Sequence, residues 1–426
     1  MRDILEYILK ILAKIVLWRY KPIIVAVTGS VGKTSTKEAI YRVLKKRFNV
    51  RRNLGNYNNE IGVPLTILGL KTGGSSIFSW LIIFLRTIKI IVYEKNYPKI
   101  LVLEMGVDKP GNMKYLTSFV PVKVGVFTAI GEFPVHIEFF PERDKLVEEK
   151  ALLIKSIQKD GLAVLNYDDL SVRMVGDELP DEIKKINYGF GQGADLRIDN
   201  FELEINDFDK GDFGINFKMD YQGSIVPIRL LKALGKQQVY AVAAAASVGS
   251  FFNINMVEVS EAFREYYTLP GRTNLIKGVK GTWIIDDTYN ASPLAALAAL
   301  DILDAAGTSE GEFRKIAVLG DMMELGVETE NGHRQVGKKV ALIADLLFTV
   351  GERSRFISDE AKKHGMSKDK IFEFSQSSEA GIPLQQEIKT GDIILIKGSR
   401  SIKMEKIVKE IMTEPEKANE LLVGQN

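Results

Sequence analysis

At 426 residues the chain has room for two or three domains of roughly 100–200 residues each. Its hydrophobic share of 46% and charged share of 26% are those of an ordinary globular protein, which excludes a disordered chain and a bulk membrane protein. A net charge of +2 is too balanced to point to nucleic acid, and zero cysteines exclude disulfides, thiolate metal sites and cysteine nucleophiles while fitting a reducing, cytoplasmic compartment.

The first 22 residues carry an apolar stripe, Ile4, Leu5, Ile8, Leu9, Ile11, Leu12, Ile15, Val16 and Trp18, edged by Lys10, Lys14, Arg19 and Lys21. That spacing predicts an amphipathic helix, and its interior lysines rule out both a signal-peptide centre and a membrane span. Such a helix either packs on its own domain or lies on a membrane surface. Next comes the stretch around which the chain is organised. The β-branched run Ile23 to Val27 ends in Thr28-Gly29-Ser30-Val31-Gly32-Lys33-Thr34-Ser35 and passes into helix-compatible sequence, the strand, loop and helix order of a phosphate cradle. Gly29 and Gly32 permit a tight turn whose amides point at phosphate oxygens, and the helix start adds its positive dipole end. Lys33 is expected to reach the outer phosphates and the Thr34 hydroxyl to sit on Mg²⁺. Val27 stands where the usual pattern has its first glycine.

Asn53 to Leu68 is an amide-rich loop running into an apolar helix or strand. Asn56, Asn58 and Asn59 offer neutral donors and acceptors to a polar ligand, and turn chemistry alone also favours them. Ser75 to Tyr93 is apolar but too short to span a bilayer, so it is expected as a buried helix, with a surface shared with the N-terminal helix as the second reading. Lys99 to Gly106 reads as a buried strand ending on Glu104, where a parallel sheet gathers its ligands and where a second metal contact is needed. Another strand, Lys123 to Thr128, leads to His136, a candidate metal ligand, and Glu138. Glu142 to Lys155 is a charged helix that reads by itself as a solvated face.

Leu162 to Asn166 is a further short strand. From Asp195 to Leu230 the pattern alternates apolar and polar residues, and turn signals at Asp209-Lys-Gly and Tyr221-Gln-Gly predict antiparallel hairpins. An alanine-rich helix runs from Gly235 to Phe252, and Pro270-Gly271-Arg272 punctuates the chain at an expected domain boundary. Beyond it strands and helices alternate: strand Thr282 to Asp287, helix Pro293 to Ala306, strand Lys315 to Leu319, a helix near His333 to Leu347, and strands at Phe348 to Val350, Ile371 to Phe374 and Asp392 to Lys397. This predicts a doubly wound α/β domain. Polar clusters follow its strands: Asp286 to Pro293, Gly320 to Gly326, and Lys397-Gly398-Ser399-Arg400.

The segments Thr28 to Thr36, Asn53 to Leu68, Leu103-Glu104-Met105-Gly106, His136-Ile137-Glu138, Pro270-Gly271-Arg272, Asp286 to Pro293, Gly320 to Gly326 and Lys397 to Glu405 together resemble the ATP-dependent Mur ligases over roughly residues 22 to 410. The resemblance implies an α/β chain in three parts. Residues 1–22 form the N-terminal helix, 23–270 a P-loop ATPase unit whose mostly parallel sheet carries a β-hairpin insertion, and 271–426 a Rossmann-like unit that closes over the nucleotide. The activity it implies is ATP-dependent amide formation through an acyl phosphate in cell-wall precursor synthesis. The substrates are then a carboxylate-bearing wall precursor and D-alanyl-D-alanine, the cofactors ATP and Mg²⁺, and the enzyme a cytoplasmic monomer that handles no nucleic acid.

Residue by residue, the resemblance puts Gly29, Ser30, Val31, Gly32, Lys33, Thr34 and Ser35 on the phosphates, and Thr34, Glu104 and His136 on metal. Lys150 matches a lysine that the family carries as a carbamate. Arg272, Asp287 and Asn290 resemble nucleotide contacts, Asn56, Asn58 and Asn59 face substrate, and Lys397, Ser399 and Arg400 line the side of the incoming amine. Two features depart from the family pattern. The family places a UDP-gripping domain of several tens of residues before the P-loop, where this chain has the amphipathic helix. It also places His-Asn where this chain has Gln237-Gln238, so the Gln238 amide is the expected adenine contact. Two other readings stand beside the leading one: a related amide ligase with another acceptor, such as an archaeal wall peptide or a polyglutamate chain, and a nucleotide-binding partner protein without catalysis.

Overall fold

The computed structural model describes residues 2–208, 210–306 and 313–424, and only the backbone of residue 206. Its first half alternates helix and strand: α1 (Arg2–Tyr20), β1 (Ile23–Thr28), α2 (Lys33–Leu44), β2 (Val50–Arg52), α3 (Gly62–Leu68), α4 (Ile77–Tyr93), β3 (Ile100–Glu104), α5 (Asn112–Thr117) and β4 (Val122–Phe127). There follow α6 (Arg143–Lys155), β5 (Leu162–Asn166), α7 (Leu170–Asp177), β6 (Lys184–Gly189), β7 (Leu196–Asp207), β8 (Asp212–Tyr221), β9 (Ser224–Leu231), α8 (Lys236–Phe251) and α9 (Met256–Ala262). The strands form one nine-stranded sheet in the order β2-β3-β1-β4-β5-β6-β7-β8-β9.

From β2 to β7 the neighbours run parallel, and β7, β8 and β9 are antiparallel. The expected hairpins therefore extend the main sheet at one edge rather than standing apart from it. Asp209, the first residue of one expected turn, lies outside the described residues. The other turn holds Gln222 at φ 52° and Gly223 at φ 79°, the pair of positive values that a two-residue hairpin turn needs.

The strands β1, β3, β4 and β5 are nearly continuous Val, Ile and Leu because helices cover both faces of the sheet. Successive residues of β1 alternate sides: Ile24 and Ala26 join one core layer with Leu9, Ala13 and Val16 of α1 and Leu65 of α3, while Val25 and Val27 join Ile40 and Val43 of α2 and the alanines of α8.

One expectation is met and two change here. Helix α1 does pack on its own domain through Leu9, Ala13, Val16 and Leu17, but its opposite stripe is exposed. Helix α4 is not buried. Of its residues Ile83 and Thr87 are the buried ones, because α1 and α3 already occupy the sheet face and α4 rests against them along one edge. Helix α6 is no solvated face, since it buries Leu146, Lys150, Ala151, Leu153 and Ile154. Its charges sit around a core-facing stripe whose spacing the charged run Glu148-Glu149-Lys150 obscures.

The second half contains β10 (Asn274–Gly278), β11 (Thr282–Asp287), α10 (Pro293–Ala305), β12 (Lys315–Gly320), α11 (Thr329–Ile343), β13 (Leu346–Val350), α12 (Arg355–Lys363), β14 (Ile371–Phe374), α13 (Ser377–Glu387), β15 (Ile393–Lys397), α14 (Glu405–Ile411) and α15 (Ala418–Leu421). Its six strands run in the order β10-β11-β15-β12-β13-β14, parallel except for β10 against β11. Helices again cover both faces, with Ile285, Leu319 and Leu395 in one core layer and Ile284, Val318 and Ile396 in the other. The carboxyl ends of the central strands carry Asp287, Gly320 and Lys397, the edge where open α/β sheets bind ligands.

Candidate active site

The site begins where β1 hands over to α2. Gly32 caps the helix at φ 86° and Gly29 turns the loop at φ 139°, so the first-turn amides of Lys33, Thr34 and Ser35 face the cavity without intrahelical partners. A Cβ on Gly29 would sit 2.0 Å from Thr128 Oγ1, so the loop is pressed against β4. The backbone amides of Ser30 and Val31 both donate to the Ala129 carbonyl, at 2.7 and 3.0 Å, pinning the loop to the strand that follows. The Ser30 hydroxyl is buried with no partner. Lys33 folds back on the loop, donating to the Gly29 and Ser30 carbonyls at 2.9 and 3.3 Å, and burial lowers its pKa. Val27 is a fully buried strand residue, and the turn it leaves to Gly29 still forms a cradle.

In the sheet register Glu104 stands beside Val27, so the end of β3 delivers a carboxylate to the P-loop. One of its oxygens, Oε1, accepts from Asn58 Nδ2 at 3.1 Å. The other, Oε2, is buried with no hydrogen-bond partner and lies 3.9 Å from the ammonium of Lys37. The asparagine loop divides its work. Asn53 is buried and staples the loop to β3, donating to the Glu104 carbonyl and accepting from the Glu104 amide. Asn59 accepts from the Ile61 and Gly62 amides at the start of α3, and Asn56 accepts from the Tyr289 hydroxyl across the cavity.

Opposite lies His136, in a left-handed backbone conformation at φ 71°. Its Nδ1 is 2.8 Å from Glu324 Oε2 and its Nε2 is 3.7 Å from Asp108 Oδ1, so both ring nitrogens face carboxylates. The nearby imidazole lowers the pKa of Glu324. Lys150 of α6 is fully buried and its Nζ has no partner. Burial, and then the charge of nearby Lys33, hold that amine well below the usual lysine range. Among the described residues no group of three or more His, Asp and Glu side chains could hold a metal ion by itself.

The second sheet supplies the far wall. Arg272 donates to Thr34 Oγ1 at 3.4 Å and its guanidinium stacks 3.9 Å from the Tyr289 ring. Asp287 accepts from Lys397 Nζ at 2.6 Å and from the Thr273 amide at 3.1 Å. Lys397 also donates to the Asn290 carbonyl at 2.9 Å, so it fixes this edge rather than reaching into the main cavity. Ser399 is buried and accepts from the Met323 amide, while Arg400 lines the cavity and pairs with Glu405 at 3.0 Å. The Gln238 amide accepts from the Tyr266 hydroxyl and reaches Thr273 Oγ1 at 3.5 Å; it borders a small cleft of about 40 Å³ with Gln237, Arg272, Asp287 and Lys397.

Ser30 to Thr34, Asn56, Asn58, Asn59, Glu104, His136, Arg272, Asn290 and Arg400 thus border one open cavity of about 310 Å³ between the two sheets. Lys150, Asp287, Lys397 and Ser399 do not border it, and stand in the layer behind. Asp108, Tyr289 and Glu324 also face this space or its His136, although nothing in their sequence patterns singles them out. Tyr289 and Glu324 lie inside quoted segments, and Asp108 lies four residues past Glu104, but only the fold shows which members of each segment point inward. Lys37, on the P-loop helix, carries no sequence signal that marks it as buried. It is buried, donating to the Asn53 carbonyl at 2.8 Å.

A family described as the Mur ligase middle domain matches residues 27–79 and 86–249, and one described as the Mur ligase, glutamate ligase domain matches residues 271–400. The UDP-N-acetylmuramoyl-tripeptide–D-alanyl-D-alanine ligase of Bacillus subtilis (strain 168) is 30% identical over 95% of this chain and 79% of its own length. Among solved structures, MurF ligase from Thermotoga maritima in complex with ADP superposes with a TM-score of 0.76 at 26% identity, covering 97% of this chain and 84% of that one. MurF from Acinetobacter baumannii gives 0.77 at 24% identity, over 95% and 79% of the two chains. With both halves matched and its P-loop facing the second sheet, this chain belongs to the Mur ligase family.

Proposed function

We propose that this chain is an ATP-dependent amide ligase of the MurF type, which joins D-alanyl-D-alanine to a UDP-N-acetylmuramoyl-tripeptide. The observation that carries the reading is the single cavity in which a phosphate cradle, a strand-end carboxylate and cationic groups of the second sheet converge. The names of the relatives supply the substrates.

ATP lies with its phosphates on the loop amides and Lys33, and its base and ribose toward Gln238, Arg272, Asp287 and Asn290. A substrate carboxylate oxygen attacks the γ-phosphorus in line, ADP leaves, and an acyl phosphate forms. Lys33 and Arg272 offset the charge that develops on the transferring group, since positioning and electrostatics do most of this catalysis. The amine of the dipeptide enters from the side of Arg400, its nitrogen bonds to the acyl carbon, and the C–O bond to phosphate breaks as that nitrogen loses a proton. Asn56, Asn58 and Asn59 orient the carboxylate substrate.

The donor set suits Mg²⁺, a hard cation that takes few protein oxygens and completes its shell with phosphate and water. The orphaned Glu104 Oε2 and the Thr34 hydroxyl would hold one ion, and His136 a second, where they would supply charge neutralisation at the phosphoryl oxygens. His136 must then exchange its carboxylate contact for metal. Lys150 fits a carbamate: burial lowers the amine's pKa and so favours its unprotonated form, which reacts with carbon dioxide, loses a proton, and gains a carboxylate-like end beside Lys33. The enzyme works in the cytoplasm as a monomer on small-molecule substrates.

Phosphate release from ATP by the purified protein with UDP-muramoyl tripeptide, with and without D-alanyl-D-alanine, tests this reading together with the mass of the product. Dipeptide-dependent release and the ligated mass are expected. ATP binding without release across a panel of acceptors and amines would refute it.

A further inference from the structure

We propose that the exposed apolar face shared by α1 and α4 is a docking surface for an anionic lipid bilayer, on which the protein lies without crossing it. On α1 the residues Ile4, Tyr7, Ile8, Ile11, Ile15 and Trp18 are exposed, and on α4 Ile77, Phe78 and Leu85 are. Trp18 is 77% and Ile77 82% exposed, and on these two helices such side chains gather in rows rather than standing singly as surface leucines do. Each set recurs at helical spacing, so each helix turns one stripe to the core and the opposite stripe to solvent.

The two helices present these stripes as one rigid face. Tyr20 of α1 donates to the Ile90 and Glu94 carbonyls at 2.6 and 2.9 Å, and Arg19 to the Val92 carbonyl at 3.4 Å. The core side of α1 is held by Leu9, Ala13, Val16 and Leu17, so the helix cannot leave the domain to insert. Among the described residues no helix is long and apolar enough to cross a membrane.

Charge decides the occupant. Lys14, Arg19 and Lys21 flank the stripe of α1 and Arg86 and Lys89 that of α4, all exposed; α4 has no acidic residue, and the acids of α1, Asp3 and the Arg2-paired Glu6, lie at its far N-terminal end. A second copy placed on this face by two-fold symmetry would set lysine and arginine against their own like. Anionic headgroups complement the same flanks, since a negatively charged leaflet attracts basic residues held near its surface. Apolar side chains then enter the headgroup boundary, and Tyr7, Trp18 and Tyr93 bring the amphipathic rings that suit it.

The test is cosedimentation of the full chain with phosphatidylglycerol-containing vesicles and with pure phosphatidylcholine vesicles, alongside sedimentation velocity of the protein alone. Capture by the anionic vesicles that weakens as salt is raised is expected, with a blue shift of tryptophan emission that Trp18→Phe removes while capture persists. The surface pair Trp18→Glu and Leu85→Glu should lower capture at least about tenfold by placing charge where apolar contact forms. The pair should leave vesicle-free phosphate release and the circular dichroism spectrum unchanged. Absence of capture of the wild type by anionic vesicles at low salt would overturn the proposal, as would equal capture by both vesicle types. So would a concentration-dependent dimer that the paired substitution dissolves, which would assign the face to a second copy.

Discussion

Replacing Lys150 by methionine separates a functional lysine from a structural one. The side chain is 0% exposed and its Nζ has no hydrogen-bond partner, while methionine fills nearly the same volume with nothing to desolvate. Removing a buried polar group that lacks a partner relieves about 1–3 kcal/mol, so in bicarbonate-free buffer Lys150→Met should unfold at higher denaturant than the wild type. Dipeptide-dependent phosphate release should fall at least about 10–100-fold, the range seen when groups supporting a metal site are lost. The pH dependence carries a second signature. The unfolded lysine keeps its proton to the usual lysine range and the buried one releases it earlier, so the unfolded state binds more protons in between. Stability therefore rises with pH through that interval, and the variant loses part of the slope; the rest persists through Lys33, whose pKa is lowered in the same sense. In Lys150→Ala a short added carboxylate should restore part of the ligation. A methionine variant that ligates normally and unfolds more easily would sink the reasoning, because the lysine would then be a structural group.

Further perturbations probe other parts of the site. In Gly29→Ala the new Cβ meets Thr128 Oγ1 at 2.0 Å in a residue at φ +139°, so ADP affinity measured by calorimetry should drop at least about tenfold, in line with about 1–3 kcal/mol of backbone strain. Two buried groups tilt the pH dependence in opposite directions. Burial pushes Asp286 from 3.8 up to about 7, so the folded state holds the extra proton and stability falls as pH rises from about 4 to about 7. Burial lowers His333 from 6.5 to about 4, so stability gained above pH 6.5 is lost as pH falls toward about 4. Asp286→Asn should abolish the first slope in a denaturant series, at about 1–3 kcal/mol for the Gly271 amide that its Oδ2 now accepts from. Glu324→Gln should loosen the hold of the second sheet on His136, read as faster hydrogen exchange at Ile137 to Phe139; unchanged exchange would mean that this contact does not tie the two halves.

Much of the architecture was legible in the sequence because it rests on local pattern. Continuous Val, Ile and Leu runs announced strands buried on both faces, the order of strand, glycine loop and helix announced the phosphate cradle, and the alternation after Pro270 announced a second α/β unit. What stayed hidden depends on which face of an element meets the rest of the protein. Residues 77–93 are apolar nearly all round, so nothing in them said that α1 would take the sheet face and leave α4 at its edge, with an apolar stripe in solvent. The charges of α6 conceal a lysine that faces inward, and Lys37 is buried only because the asparagine loop folds over it. Among the residues expected on the amine side, Arg400 reaches the cavity while Lys397 and Ser399 are consumed by Asp287 and the Met323 amide. The sequence determined which chemical groups stand at the ends of the strands, since that follows from periodicity and turn chemistry. Only the tertiary structure decided which of them share one cavity and which are spent holding it open, because those partners lie far apart along the chain and meet only when the two sheets pack.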